Sequence, residues 1–263
     1  MRYFKINEEV SDAPSNANFI LHTHDSYEIL LFLEGDTNYI VEGKSYKLRP
    51  GDMVLIRKHQ LHRALHNTPA RYRRVLIYIE PEFFVKYHCK EYERQFLNNS
   101  LDTDNLISAE MVKQSGILDA IHRLRTYTNK FKDTATPICI SCLTELMYLI
   151  NKTNEFAEAD LPNKQLAKII EYLNEHFSED LTLDGISEKF FISKYYLCRE
   201  FKLVTGMTFH QYLNQKRFAQ VKDLVSSGTS INNAAVLSGF RSYPAFYRAY
   251  LNEYGIKPSS GLK

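Results

Sequence analysis

LTLDGISEKFFISKYYLCREF (residues 181–201) and SINNAAVLSGFRSYPAFYRAY (residues 230–250) repeat one pattern within a single chain. Each opens on a hydroxyl residue, Thr182 or Ser230, suited to cap a short helix by accepting hydrogen bonds from its unpaired backbone N–H groups. A small residue follows, Ser187 or Ala235, where two helices joined by a tight turn must approach closely. A second serine, Ser193 or Ser242, then starts another helix. Its apolar pair is spaced i, i+4, as Leu197 with Phe201 and Phe246 with Tyr250. An arginine sits at the matching place, Arg199 and Arg248. The pattern predicts two helix-turn-helix units.

Working outward from this pair, the spacing predicts helices over 165–176, 183–190, 193–205, 209–226, 231–238 and 243–254. The helix at 209–226, about 25 Å long at 1.5 Å per residue, would join the two units. A second helix lying in a major groove turns the residues opposite its buried pair toward base edges. In the first unit these are Tyr195, Cys198 and Arg199, with Lys194 at the helix start and Lys202 one turn further on. In the second they are Tyr243, Pro244, Tyr247 and Arg248. Arginine can fork onto guanine O6 and N7, and Ser193 and Ser242 stand at helix N-termini, where backbone N–H groups suit phosphate oxygens. Taken singly, each arginine reads as a solvated residue on a bundle helix. The duplication, with its matched caps and arginines, favours double-stranded DNA as the partner.

Residues 164–263 resemble the DNA-binding domain of the AraC family of bacterial transcription regulators. The residues that carry this are Ile231, Ala235, Ser238-Gly239-Phe240, Phe246 to Tyr250 and Tyr254-Gly255-Ile256-Lys257-Pro258. The resemblance implies two recognition helices in successive major grooves, a small-molecule sensor domain and a homodimer. It also implies activation more than repression, with RNA polymerase a possible contact and a sugar or related metabolite as effector. Pro244 and Ala245 depart from the polar and aromatic residues common in the family. Proline is tolerated in a first helical turn, so the departure bears on base contacts and not on the fold.

The N-terminal part has a different character. Runs at 27–33, 38–41, 46–48, 53–56 and 74–79 have strand length, and turn signals at Gly35, Gly43 and Pro50-Gly51 separate them. Short strands at this spacing predict a β-sandwich or barrel. Helical spacing follows over 82–97, 117–130 and 137–153, and residues 151–163 read as a linker. The expected class is therefore α+β: a barrel with following helices, which the histidine motifs of residues 22–62 make similar to a cupin, joined to an all-α domain. Expected boundaries are 1–100 for an effector barrel, 101–155 for a helical dimerisation region and 160–263 for the DNA-binding domain.

Within the strand region, His22-Thr23-His24 with Glu28 and Gly35, then Gly51 and His62, resemble the two cupin motifs. The arginine and histidine at 57 and 59 replace the proline and glycine usual there. Three imidazoles and a carboxylate could bind Mn, Fe, Ni or Zn, and a metal-dependent cupin enzyme fused to a DNA-binding domain is the alternative reading. The favoured one assigns no metal, no cofactor and no catalysis. There His22, His24, Glu28 and His62 line an effector pocket, with Tyr39 and Arg57 added for their polarity within strands. The cluster Arg71-Tyr72-Arg73-Arg74 reads as a solvated strand edge, and Cys139 and Cys142 as small core residues.

Composition sets the outer limits. The 263 residues, 44% hydrophobic and 24% charged, form an ordinary globular mix sized for two domains. No apolar run reaches the ~18 residues of a membrane span. The N-terminus MRYFKINEEV lacks a secretory core, and four cysteines suit a reducing cytoplasm. Residues 162–263 carry 13 Lys/Arg against 9 Asp/Glu, whereas residues 1–161 carry 20 against 22. The surplus positive charge thus lies in the part that resembles a DNA-binding domain.

Overall fold

The apolar run at 27–33 becomes β2 (Tyr27–Glu34), a strand covered on both faces along most of its length. The computed structural model describes residues 3–97, 105–132, 134, 136–153, 164–205 and 207–262. In it β2 pairs antiparallel with β5 (Met53–Ile56) on one side and β7 (Tyr72–Ile79) on the other. Strands β1 (Phe4–Ser11) and β8 (Leu106–Ile107) form the edges of this sheet, in the order β1-β7-β2-β5-β8. A second sheet holds β3 (Thr37–Val41), β4 (Lys44–Lys47) and β6 (His62–His66) in the order β4-β3-β6.

Strand alternation gives the large sheet two destinations for its side chains. Odd-numbered residues of β2, β5 and β7, such as Ile29, Leu55 and Ile77, enter a core shared with helices. Even-numbered ones, such as Leu30, Val54 and Leu76, face Tyr39, Val41 and Ala64 of the small sheet. The helices are α1 (Glu82–Lys86), α2 (Arg94–Leu97), α3 (Ala109–Gln114), α4 (Ile117–Phe131) and α5 (Pro137–Lys152). Residues on both sides of position 100 share that core: Ile121, Leu124, Leu143 and Met147 pack into it with Phe83 and Phe84. At ~1.5–3 kcal/mol per buried aliphatic or aromatic side chain, this contact ties α4 and α5 firmly to the sheet. Cys139 and Cys142 lie in the same core as free thiols.

Two local expectations need correction. The single helix at 82–97 is broken, because His88 has φ +52° and ends α1, and a 3-10 turn at Lys90–Glu93 leads into α2. Strands β1 and β6 carried no apolar run to announce them. Strand β1 is a half-exposed edge whose Glu8 pairs with Arg73 and Arg125, and β6 alternates buried His62, Ala64 and His66 with half-exposed Arg63 and Leu65. Of the expected linker at 151–163, Asn151 and Lys152 end α5, and 154–163 lie outside the described residues.

Contacts divide the chain into two units, Met1–Pro162 and Asn163–Lys263. The second is built from α6 (Lys164–His176), α7 (Leu183–Lys189), α8 (Lys194–Thr205), α9 (Phe209–Ser226), α10 (Ile231–Leu237), α11 (Tyr243–Tyr254) and α12 (Pro258–Gly261). Helix α9 starts on a capping box, with Thr208 and Gln211 each accepting from the other's backbone N–H. Its Tyr212 meets Phe201 of α8, and its Phe218 stacks on Phe240 and meets Phe246 and Tyr250 of α11. One long helix thus supplies core to both flanking helix pairs. Among the described residues, no helix is long and apolar enough to cross a membrane.

Candidate functional site

In the C-terminal unit the caps fall where their chemistry puts them. The hydroxyls of Thr182, Ser230 and Ser242 accept from Gly185, Asn233 and Ala245 backbone N–H groups, and Ser193 accepts from Tyr196 at 3.2 Å. Leu197, Phe201, Phe246 and Tyr250 are buried, which turns the opposite faces of α8 and α11 outward. On α8, Lys194, Tyr195, Cys198, Arg199 and Lys202 are exposed. On α11, Pro244 and Arg248 are exposed, while Tyr243 and Tyr247 are half-buried, Tyr243 resting 5.9 Å from Phe246. Arg199 donates to Glu200 and lies over the Tyr195 ring, and Lys194 pairs with Asp184. These exposed ion pairs are weak enough to exchange for phosphate or base contacts.

The two helix pairs are also joined to each other within this unit. Arg217 of α9 donates to the carbonyls of Phe177 and Glu179 at 2.7 and 2.8 Å, and Arg241 pairs with Asp180 at 3.0 Å. Gly239, at φ +92°, sits so close to Ser178 that an added Cβ would lie 2.5 Å from its carbonyl oxygen. The loop before α7 is therefore fastened to the turn between α10 and α11. Sequence reasoning missed this fastening, since no local pattern couples residues 177–180 to 217 and 239–241.

In the N-terminal unit the two sheets bring His24, Glu28 and His62 together. Their ligating atoms all lie within 4.8 Å of one another. The Nδ1–H groups of His24 and His62 donate to the carbonyls of Ser26 and Gln60, each at 2.8 Å. This directs both Nε2 atoms at the Glu28 carboxylate, His24 at 2.9 Å and His62 at 3.7 Å. His62 Nε2 is buried and has no hydrogen-bond partner among the described residues. Burial pushes Glu28 up, but the two imidazoles outweigh it and hold its carboxyl well below the usual range. Burial pushes His24 down, and its bond to Glu28 more than restores it, so its pKa is raised. The Tyr39 hydroxyl donates to Glu28 at 3.3 Å, and burial followed by the Glu28 charge pushes that phenol up.

The other two expected residues sit at the margin of this cluster. His22 is exposed, bridged to His62 through backbone hydrogen bonds, its ring 4.3 Å from that of His62. Arg57 is half-buried in the field of Tyr46 and Glu42. Tyr78 went unrecognised in the sequence: the register sets it opposite Glu28, with its ring 5.4 Å from His24. The expectation of a solvated edge at 71–74 fails for two of its four residues. Tyr72 is fully buried and the Arg74 side chain is 13% exposed, because alternation turns both toward the small sheet. Arg71 and Arg73 do point to solvent.

A two-sheet interior with convergent polar groups, followed by paired helix-turn-helix units, defines a ligand-responsive transcription regulator. Comparison with known proteins agrees. The AraC-like ligand binding domain model matches residues 6–123, and the helix-turn-helix domain model matches residues 186–263. The HTH-type transcriptional activator RhaS of Escherichia coli (strain SE11) is 23% identical over 243 residues, covering 92% of this chain and 87% of RhaS. Similar solved structures include ToxT from Vibrio cholerae O395, with TM-score 0.40 and 16% identity over 99% of this chain and 97% of that one. They also include the C-terminal domain of AraT, a response regulator from Geobacillus stearothermophilus, with TM-score 0.36 and 27% identity over 37% and 83%. The chain belongs to the AraC family of transcription regulators, with a ligand-binding domain and a helix-turn-helix DNA-binding domain.

Proposed function

We propose that this protein activates transcription as a homodimer, reading a promoter through α8 and α11 while its barrel holds a small polar metabolite. The observation that carries this reading is the pair of capped helices with exposed outer faces, tied together by α9. Arg199 and Arg248 contact guanine edges, Tyr195, Cys198, Lys202, Tyr243, Pro244 and Tyr247 complete the two surfaces, and Ser193, Lys194 and Ser242 contact phosphate. Residues 1–100 serve as the effector barrel, 101–155 as the dimerisation region and 160–263 as the DNA-binding domain. Exposed Phe131, Ile138 and Tyr148 on α4 and α5 support an interface there. His22, His24, Glu28, Tyr39, Arg57 and His62 are the effector contacts. The protein works in the cytoplasm, where it can also meet RNA polymerase, and the reading requires binding only, with no catalysis. An effector acts through unequal affinity for two arrangements of the dimer. Gel-shift titration of the full chain on its own upstream region tests the proposal. The expected result is binding that weakens steeply with salt; affinity indifferent to both salt and sequence would refute it.

A second reading has its own geometric support. His24 Nε2, His62 Nε2 and Glu28 could hold a divalent transition metal, and His62 Nε2, buried 3.7 Å from Glu28 without a hydrogen bond, fits such a role. The residues suit Zn, Ni or Fe, which would supply a Lewis-acid centre inside the barrel. Stoichiometric metal in the purified protein, lost in His62→Ala, would favour it.

A further inference from the structure

The barrel interior has a second polar end that the cupin-like residues do not reach. Register pairs Glu28 with Tyr78 and Phe32 with Arg74, so Arg74 lies four residues along the sheet from the Glu28 cluster, about 13 Å at 3.3 Å per residue. The small sheet repeats the offset, with Val41 beside His62 and Thr37 beside His66. At this far end the Arg74 guanidinium is held 4.7 Å from the Tyr72 ring and 5.3 Å from the Phe19 ring. The His66 ring packs 4.6 Å from Tyr72 and 4.5 Å from Phe19.

Three polar atoms here are buried and, among the described residues, lack a hydrogen-bond partner: Arg74 Nη1, the Tyr72 hydroxyl and His66 Nε2. Tyr72 is fully buried and His66 is 7% exposed, so water does not readily replace the missing partner. Burial pushes the Tyr72 phenol up, and the charge and a loose side-chain contact of the Arg74 guanidinium pull it partly back, a contact that leaves both the hydroxyl and Arg74 Nη1 short of a well-formed hydrogen bond. Thr37 Oγ1 engages the other His66 nitrogen at 2.9 Å; with the threonine donating, Nε2 carries the proton. Arginine, phenol and imidazole would then all offer hydrogens with no acceptor. Burial, reinforced by the charges of Arg74 and Arg63, drives His66 down to about 4, so the imidazole is neutral at this end of the barrel. Arg74 Nη2 pairs with Glu9, so only the Nη1 side of the guanidinium is left to donate, which suits a single carboxylate and would compensate a dianion poorly.

We propose that Arg74, Tyr72 and His66 form an anion subsite that receives a carboxylate of the effector, which is therefore an organic acid and not a neutral sugar. A carboxylate offers the two coplanar oxygens that an arginine edge can bind. The proposal rests on the reading of the barrel as the effector domain, and its test separates the two.

Hexanoate, hexanamide, inorganic phosphate and glucose are titrated into the full-length protein, followed by calorimetry and by the His66 imidazole NMR signals. Hexanoate is expected to bind and to move the His66 signals, while hexanamide, phosphate and glucose at equal concentration do not. Arg74→Gln should weaken hexanoate binding at least about tenfold. Arg73→Gln, altering the neighbour bonded to Glu8 on the opposite face, should leave it unchanged. An unchanged spread of methyl NMR signals from the barrel core in Arg74→Gln shows that the N-terminal unit of the variant is folded. Equal binding of acid and amide, or unaltered hexanoate binding by that folded variant, overturns the subsite. Glucose binding lost in Glu28→Gln but kept in Arg74→Gln also overturns it and leaves the effector barrel standing. If no probe binds or moves the His66 signals, the subsite and the barrel reading fall together.

Discussion

The two helix-turn-helix units solve one geometric problem with different residues. Each first helix must end in a residue of positive φ so that the chain can turn into the recognition helix. The second unit uses Gly239, at φ +92° and hard against the backbone of Ser178. The first uses Phe191, at φ +53° and 94% exposed, with its side chain free to extend into solvent. Glycine is therefore required where a neighbouring chain closes the space, and merely preferred where none does. The second unit is fastened to the loop preceding the first through Arg217, Arg241 and Gly239.

This contrast can be broken in graded steps. Gly239→Ala should cost the most, ~3 kcal/mol of stability from the clash with Ser178 and the strained φ, read as a lower denaturation midpoint. Arg217→Met removes two charged hydrogen bonds to carbonyls and should cost about 2 kcal/mol. DNA binding should suffer beyond that loss, with a two-groove site weakened more than a single half-site, because the two helix pairs are less firmly fastened. Arg199→Ala should weaken sequence-specific binding by roughly 1–2 kcal/mol. Arg248→Ala should cost less, since Pro244 and two half-buried tyrosines leave α11 a narrower polar face; gel shifts on matched and mutated operators compare the two. Phe191→Gly should have the smallest effect, a gain of about 0.5 kcal/mol from relieved left-handed strain, partly offset by a more flexible unfolded chain. A loss of DNA affinity in that variant would give the exposed ring a binding role.

The N-terminal unit shows how a single interior can hold opposite electrostatics. Glu28 is surrounded by imidazoles at one end, while Arg74 and a proton-refusing His66 occupy the other. One strand register places both, four residues apart.

Much of the C-terminal unit was legible because its signals act over a few residues. Serine and threonine caps bind their own local backbone and i, i+4 apolar pairs meet on one helix face, so a helix such as α11 follows from a short stretch. The His24–Glu28 contact was legible for the same reason, spanning four residues. His62 joined them through the cupin-like spacing, and its role in the pair of sheets was not readable from its neighbours. Strand β1, with few buried apolar residues, gave no periodic signal, and His88 broke a helix that its flanking residues supported. His66 against Tyr72 across the sheets, and Arg217 on the carbonyls of 177 and 179, depend on partners 6–40 residues away. Strand pairing and helix docking alone decide which side chains meet over such distances, because alternation assigns a face only once the register is set.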